Sequence, residues 1–241
     1  MQTMKKMGKS ILLSLAFFSV LVAHAQTADE IVSKNLEAMG GKDKISQIKS
    51  LYTEGTMQMM GNDNPMATTI LNGKGIRMDA EFNGQKIVQV ITDKSGWMIN
   101  PMMGGGTPQP MPEEMYKASK EQLFVGGPFY NYAAKGTKIE LLGKDASAYK
   151  LKVTMDDGND ATYYIDPTTY FITKVEKKGN MQGQDMEITI SLSDYQKTDN
   201  GFMVPHTVLT DMGGAFQMTA NVKKVVVNKD VDPKIFEMPK N

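Results

Sequence analysis

The sequence predicts a mainly β fold: a large antiparallel sheet, barrel or sandwich, with one helix ahead of the strands and another inserted among them. Three observations carry this. Short segments alternate apolar and polar residues, the two-residue period of a strand with one covered face. Turn pairs punctuate them at Asn72-Gly73, Asn83-Gly84, Asp157-Gly158, Asp166-Pro167, Asn200-Gly201 and Gly213-Gly214. A capped segment with helical spacing stands just before the first strand. With about a dozen strands, the sheet curls rather than staying flat.

Residues 1–25 are read apart from the fold. Lys5, Lys6 and Lys9 form a basic start, Ile11 to Ala23 is an apolar run of 13 residues, and Ala23-His24-Ala25 has the small-x-small form of a cleavage site. This pattern predicts a signal peptide removed after Ala25 and an exported, periplasmic chain starting at Gln26. A membrane span needs about 20 residues, so none is expected in the mature chain. The chain has no cysteine, which excludes disulfides and a lipidated N-terminal cysteine and leaves stability to the apolar core. Losing three lysines leaves 24 basic against 27 acidic residues, a net charge of −3 that gives no basic footprint for nucleic acid. Residues 26–241 read as a single domain, since no Pro/Ser-rich linker divides them.

In chain order, Thr27-Ala28-Asp29-Glu30 is a capping box, with a hydroxyl at the cap and a carboxylate three residues on. Ile31, Val32, Asn35, Leu36 and Met39 follow at helical spacing, and Gly40-Gly41 ends the helix. A short second helix, with Ile45, Ile48 and Leu51 on one side, leads into the sheet. Strands are expected at 52–60, 66–72, 75–82, 86–92 and 96–100, then at 138–143, 148–155, 161–166, 170–178, 186–195, 203–211 and 216–227. The meander from Gly75 to Pro101 is the clearest stretch. Ile76, Met78, Ala80 and Phe82 alternate with Arg77, Asp79 and Glu81; Asn83-Gly84 supplies a two-residue hairpin turn; Ile87 to Ile91 is apolar on both faces. It also holds the only arginine, Arg77, and the only tryptophan, Trp97.

The pattern breaks between Met102 and Lys135. Met102 to Pro108 is Gly-rich; Pro112, Glu113 and Glu114 then start a helix that is expected to reach Phe124, with Gly126-Gly127-Pro128 beyond it. Two readings stand for this insertion: a lid over the sheet, or a connection covering a sheet edge.

Groups able to carry chemistry are few. His206 is the only histidine past the leader, no cysteine nucleophile exists, and Asp156, Asp157, Asp160 and Asp166 occupy turn positions without the spacing of a calcium loop. The residues therefore point away from an enzyme, and no cofactor is expected. Methionine is the outlier, with 18 of 21 past the leader. These thioethers suit core packing, a deformable apolar surface, or Cu(I) binding around Met102, Met103 and Met111.

On several short motifs the chain resembles the LolA/LolB-like superfamily, and more closely the exported outer-membrane lipoprotein-sorting proteins. The motifs are Ile76-Arg77-Met78 through Asp93-x-x-Gly96-Trp97-x-x-Asn100-Pro101, Gly41-Lys42 with Ile45, and Gly127-Pro128 with Tyr132 and Lys135-Gly136. Tyr149-Lys150-Leu151, Tyr163-Tyr164-Ile165-Asp166, Asp194-Tyr195, Pro205-His206 and Phe236-x-x-Pro239 extend them over most of residues 27–239. The resemblance implies one LolA-like domain, a half-open, curved antiparallel sheet or incomplete barrel, with helices covering its concave face. It implies a non-enzymatic carrier whose apolar cavity holds lipoprotein acyl chains or another hydrophobic ligand. Lining candidates are Met57, Met59, Met78, Phe82, Val88 and Trp97 from the sheet, and Met102, Met103, Phe124 and Phe129 from the lid. Arg77 stands where the carriers place a lid-contacting arginine, although their Arg-Pro pair is here Arg77-Met78. The alternative is an envelope interaction module that docks a partner protein on a sheet edge or on the Lys223-Lys224 face.

Overall fold

The computed structural model describes residues 26–101, 105–156, 158–181, 184–214 and 216–239. The leader with its Ala25 site, and the candidate residues Met102 and Met103, lie outside the described residues. Helix α1 (Ala28–Ala38) opens on the expected box: the Glu30 amide donates to Thr27 Oγ1 at 3.2 Å and the Thr27 amide to Glu30 Oε2 at 3.1 Å. Past its end, Gly40 and Gly41 take φ values of +117° and +94°, which a β-carbon would strain. Helix α2 (Lys42–Ser46) follows.

Six strands come next: β1 (Ser50–Met59), β2 (Asn62–Leu71), β3 (Gly75–Phe82), β4 (Gln85–Thr92), β5 (Gly96–Asn100) and β6 (Gly105–Pro110). Helix α3 (Glu113–Ser119) and 3-10 turns at Lys120–Leu123 and Ala133–Lys135 separate them from β7 (Lys138–Lys144), β8 (Tyr149–Thr154), β9 (Asp160–Ile165), β10 (Ile172–Met181), β11 (Gln184–Lys197), β12 (Met203–Met212) and β13 (Gln217–Val227). A final 3-10 turn spans Pro233–Phe236. The hairpin turn between β3 and β4 has both Asn83 and Gly84 at positive φ, +52° and +75°, as a type I′ turn requires.

The described strands form one 13-stranded antiparallel sheet in the order β6-β5-β4-β3-β2-β1-β13-β12-β11-β10-β9-β8-β7. Only the β1–β13 pairing joins strands distant in sequence, and the sheet is not closed: β6 and β7 are its edges. Three expectations need correcting. Residues 105–110 form an edge strand rather than a Gly-rich coil, because Met98 and Asn100 give them a pairing partner. The inserted helix is one short α-helix finished by a 3-10 turn. Lys223 and Lys224 are exposed at a bulge of β13, so the docking face they would offer belongs to an interior strand and not to a sheet edge. The true edges are blunted by Pro108 and Pro110 on β6 and by a bulge between Leu141 and Gly143 on β7.

Register assigns every strand residue to one of two faces. The inner face carries Leu51, Gly55, Met57 and Met59 of β1, which pair across to Ile70, Met66, Asn64 and Asn62 of β2. It continues through Ile76, Met78 and Ala80 of β3 into Ile91, Gln89 and Ile87 of β4. In the other direction it runs through Val222 and Ala220 of β13 and Val208 of β12 to Leu192, Ile190 and Ile188 of β11. It ends on Val175 and Lys177 of β10, Tyr163 and Ala161 of β9, and Leu151 and Val153 of β8. Helices α1 and α2 seal the β7–β10 end of this face with Ile31, Val32, Leu36 and Ile45, and with Ile48 just past α2, forming the main core with Phe129, Leu151 and Ile165.

The segment from Met111 to Thr137 joins the two edge strands by crossing the inner face. Leu123, Met111 and Met115 pack on Ile76 of β3 and Ile91 of β4, while Glu121 meets Tyr163 of β9 and Lys177 of β10. From β3 to β10 is six inter-strand steps, about 29 Å in a flat sheet at ~4.8 Å per step. Two residues of extended chain span only about 7 Å. Glu121 and Leu123 therefore reach both halves only because the sheet curls around them.

Candidate functional site

Between the two covered zones the inner face keeps a strip of apolar side chains that belong to no buried cluster. Met78 on β3, Val222 and Ala220 on β13, Val208 on β12 and Ile188 on β11 are all half-buried. Gly55 on β1 sits opposite Val222. A β-carbon there would lie 1.9 Å from the Asn221 carbonyl oxygen, so the backbones meet too closely for any other residue. The floor of this trough is β-branched, small and methionine side chains, and the crossing segment roofs it on one side. Such a surface offers dispersion and burial to a flexible apolar chain, with few groups to orient a polar one.

Polar groups bordering the trough come from the sheet as well as from the roof. Glu121 accepts from Lys177 Nζ at 3.2 Å through Oε1 and from the Tyr163 hydroxyl at 3.3 Å through Oε2. Burial, with the Glu121 carboxylate beside it, pushes the Tyr163 phenol well above its ordinary value, so it stays a neutral donor. At the end of the roof, the Asn72 amide joins three elements: Nδ2 donates to the Ile48 carbonyl at 2.9 Å, and Oδ1 accepts from the Val125 amide at 3.1 Å. Next to it the Gly73 amide donates to the Leu123 carbonyl at 2.8 Å. Lys135 donates to the Gly127 carbonyl at 3.0 Å and lies 4.3 Å from the centre of the Phe124 ring; burial lowers its ammonium to about 8.

The fold has counterparts of known structure. A LolA superfamily protein from Nitrosomonas europaea superposes with a TM-score of 0.58 at 12% identity, covering 88% of this chain and 98% of the other. A putative outer membrane lipoprotein-sorting protein domain from Vibrio parahaemolyticus gives 0.55 at 14% identity, over 87% and 95% of the two chains. A DUF1329 family protein from Desulfovibrio piger gives 0.56 at 12% identity, over 88% and 98%. The fold is LolA-like. No family model matches the sequence, and no curated protein does. No helix among the described residues is long and apolar enough to cross a membrane.

Within this LolA-like fold the described lining candidates separate into five places. Met78 is in the trough. Met57, Met59 and Phe82 pack with Ala80, Met66 and Met218 at one end of the inner face. Phe129 is fully buried in the main core, its ring 5.3 Å from that of Tyr163, whereas Phe124 is 37% exposed at the roof end. Val88 and Trp97 are on the outer face, with Val90 and Phe236, because Ile91 and Gln89 take the inner positions of β4. Apolar residues on both faces of β4 gave the alternation no direction to point.

Arg77 also belongs to the outer face. Its Nη1 donates to the Ile235 carbonyl at 2.8 Å, and Nε and Nη2 clasp Asp79 at 2.7 Å each, so its partner is the C-terminal turn and not the lid. Met111 is buried against Gly96, Ile76 and Ile91 as a core residue. There are also two surface depressions, of about 530 and 430 Å³, the first with Gly55 in its lining. The first is on the outer face among Tyr52, Glu54, Asp79 and Glu81; the second lies between α1 and residues 129–134.

Sequence reasoning missed Ile188, Val208, Ala220 and Val222. Each sits in a clean alternating strand, so its face was legible. What set them apart is that, among the described residues, no helix joins them in a buried cluster, and no local pattern carries that.

Proposed function

We propose that this chain is a periplasmic, non-enzymatic binder that holds the acyl chain of a lipid or lipoprotein in the inner-face trough. The observation that carries the reading is the half-buried strip of Met78, Val222, Ala220, Val208 and Ile188, left between two sealed cores and roofed by a crossing segment. Each methylene buried there contributes about 0.8 kcal/mol, so an acyl chain gains affinity in proportion to its length. The leader pattern at residues 1–25 supports export, and the structural neighbour named for lipoprotein sorting supports the ligand class.

The test is native mass spectrometry of residues 26–241 produced in a host with an envelope, followed by organic extraction. Co-purifying acyl species are expected. Val222→Asp places a charge in the trough and is expected to lower acyl-probe affinity about tenfold or more. Its melting temperature should stay close to that of the parent, because the site is half-open to water. A clean unliganded mass and no binding of fatty-acyl or lipopeptide probes would sink the reading.

A further inference from the structure

Lys177 is out of place for its surroundings. It stands on the inner face of β10 between Val175 and Gly179, with Ala161 of β9 on one side and Ile188 of β11, a trough residue, on the other. Its side chain is 17% exposed and that of Glu121 is 15%, so each charge is tolerable there because the other is present. Glu121 belongs to the roof, however, and Lys177 and Tyr163 to the sheet. If the roof lifts, the sheet is left with a cation and a buried hydroxyl donor facing one end of an apolar trough.

The two donors form a cradle for one carboxylate, one per oxygen. Glu121 fills it loosely: 3.2 and 3.3 Å are long beside the roughly 2.7–2.9 Å of a charge-assisted bond. Glu121 is held back because Leu123, two residues along, is packed against Ile76 and Ile91. A carboxylate free of that tether can close on both donors.

We propose that the trough takes a single-chain amphiphile ending in a carboxylate, with Lys177 and Tyr163 binding the head group in the place that Glu121 occupies when the site is empty. This rests on the acyl-binding reading above and deepens it by naming the head group. The roof carboxylate is then a built-in competitor. Capture of the head group expels Glu121 from the cradle and loosens the roof in the same step.

The experiment compares palmitate with hexadecanol, both below their aggregation limits, by calorimetric titration of residues 26–241, with hydrogen exchange over residues 120–125 as the roof readout. Palmitate is expected to bind about tenfold more tightly than the alcohol and to speed exchange in the roof. K177M should erase that preference, and Y163F should reduce it where K177M fails to fold. E121Q should strengthen palmitate binding by removing the competing charge. Equal affinity for acid and alcohol in the parent protein, or a preference that survives both K177M and Y163F, would overturn the head-group assignment while leaving the trough intact. Failure of both probes to bind would overturn the trough reading itself.

Discussion

Arg77, Trp97 and Phe236 show how single side chains organise the outer face. Trp97 Nε1 donates to the Phe236 carbonyl at 2.8 Å, and the Arg77 guanidinium carbon lies 5.8 Å from the indole centre, within cation–π reach. The Phe236 ring fills the space above Gly75, where a β-carbon would come within 2.8 Å of it. This is why a glycine opens β3. Phe236→Ala is expected to destabilise the protein by about 3–5 kcal/mol, the range for emptying a buried aromatic site. Because Trp97 is the only tryptophan, its emission should shift to longer wavelength as water reaches the ring. Chemical denaturation followed by fluorescence reads both, and a change below about 1 kcal/mol would refute this packing role.

At the scale of elements, the roof is the least conventional part of the structure. Near its end lies Lys135, whose ammonium is lowered from 10.5 to about 8 by burial. Below pH 8 both folded and unfolded chains carry that proton, and the folded state bears the full cost of burying the charge. Between about pH 8 and 10.5 the folded form has shed a proton that the unfolded chain keeps, so this group's contribution to stability rises with pH. Allowing for solvent screening, the gain is about 1–2 kcal/mol. Lys135→Met, which keeps the length and removes the charge, should be the more stable protein at pH 7, and its advantage should shrink toward pH 10.5. Denaturation curves of both proteins at the two pH values test this. An advantage that does not change with pH would rule it out.

For the whole molecule, the decisive feature is that one segment ties the two edges of an open sheet together across its curled face. The roof is pinned to the β2–β3 turn through Asn72 and Gly73, and through Glu121 to β9 and β10. Few contacts of this kind favour local opening at less than the free energy of global unfolding. Asn72→Ala removes the pin to Val125 and the bond to Ile48 that braces it, and is expected to speed amide exchange in residues 120–125 by about tenfold or more, with little effect on β8 and β9. Uniform acceleration across the sheet would mean that the roof does not open independently.

Much of the fold was legible because it is written locally. The Thr27–Glu30 box, the Asn83-Gly84 turn and the alternation in β3 each follow from backbone sterics and period within a few residues. The site was less legible. Met78 could be placed because β3 has one apolar face and one charged face, while Val88 could not because β4 is apolar on both. Val222 and Ala220 were readable as covered or half-covered, but never as uncovered by a helix.

By itself the sequence determined the capped helix, the succession of strands and their turns, and the scarcity of catalytic groups. Tertiary structure alone decided that β1 pairs with β13, that Arg77 reaches Ile235 across 158 residues, and that Glu121 meets Lys177 across 56. Such contacts depend on loop closure and on which apolar face finds cover. Neither leaves a period or a motif in the residues that make them.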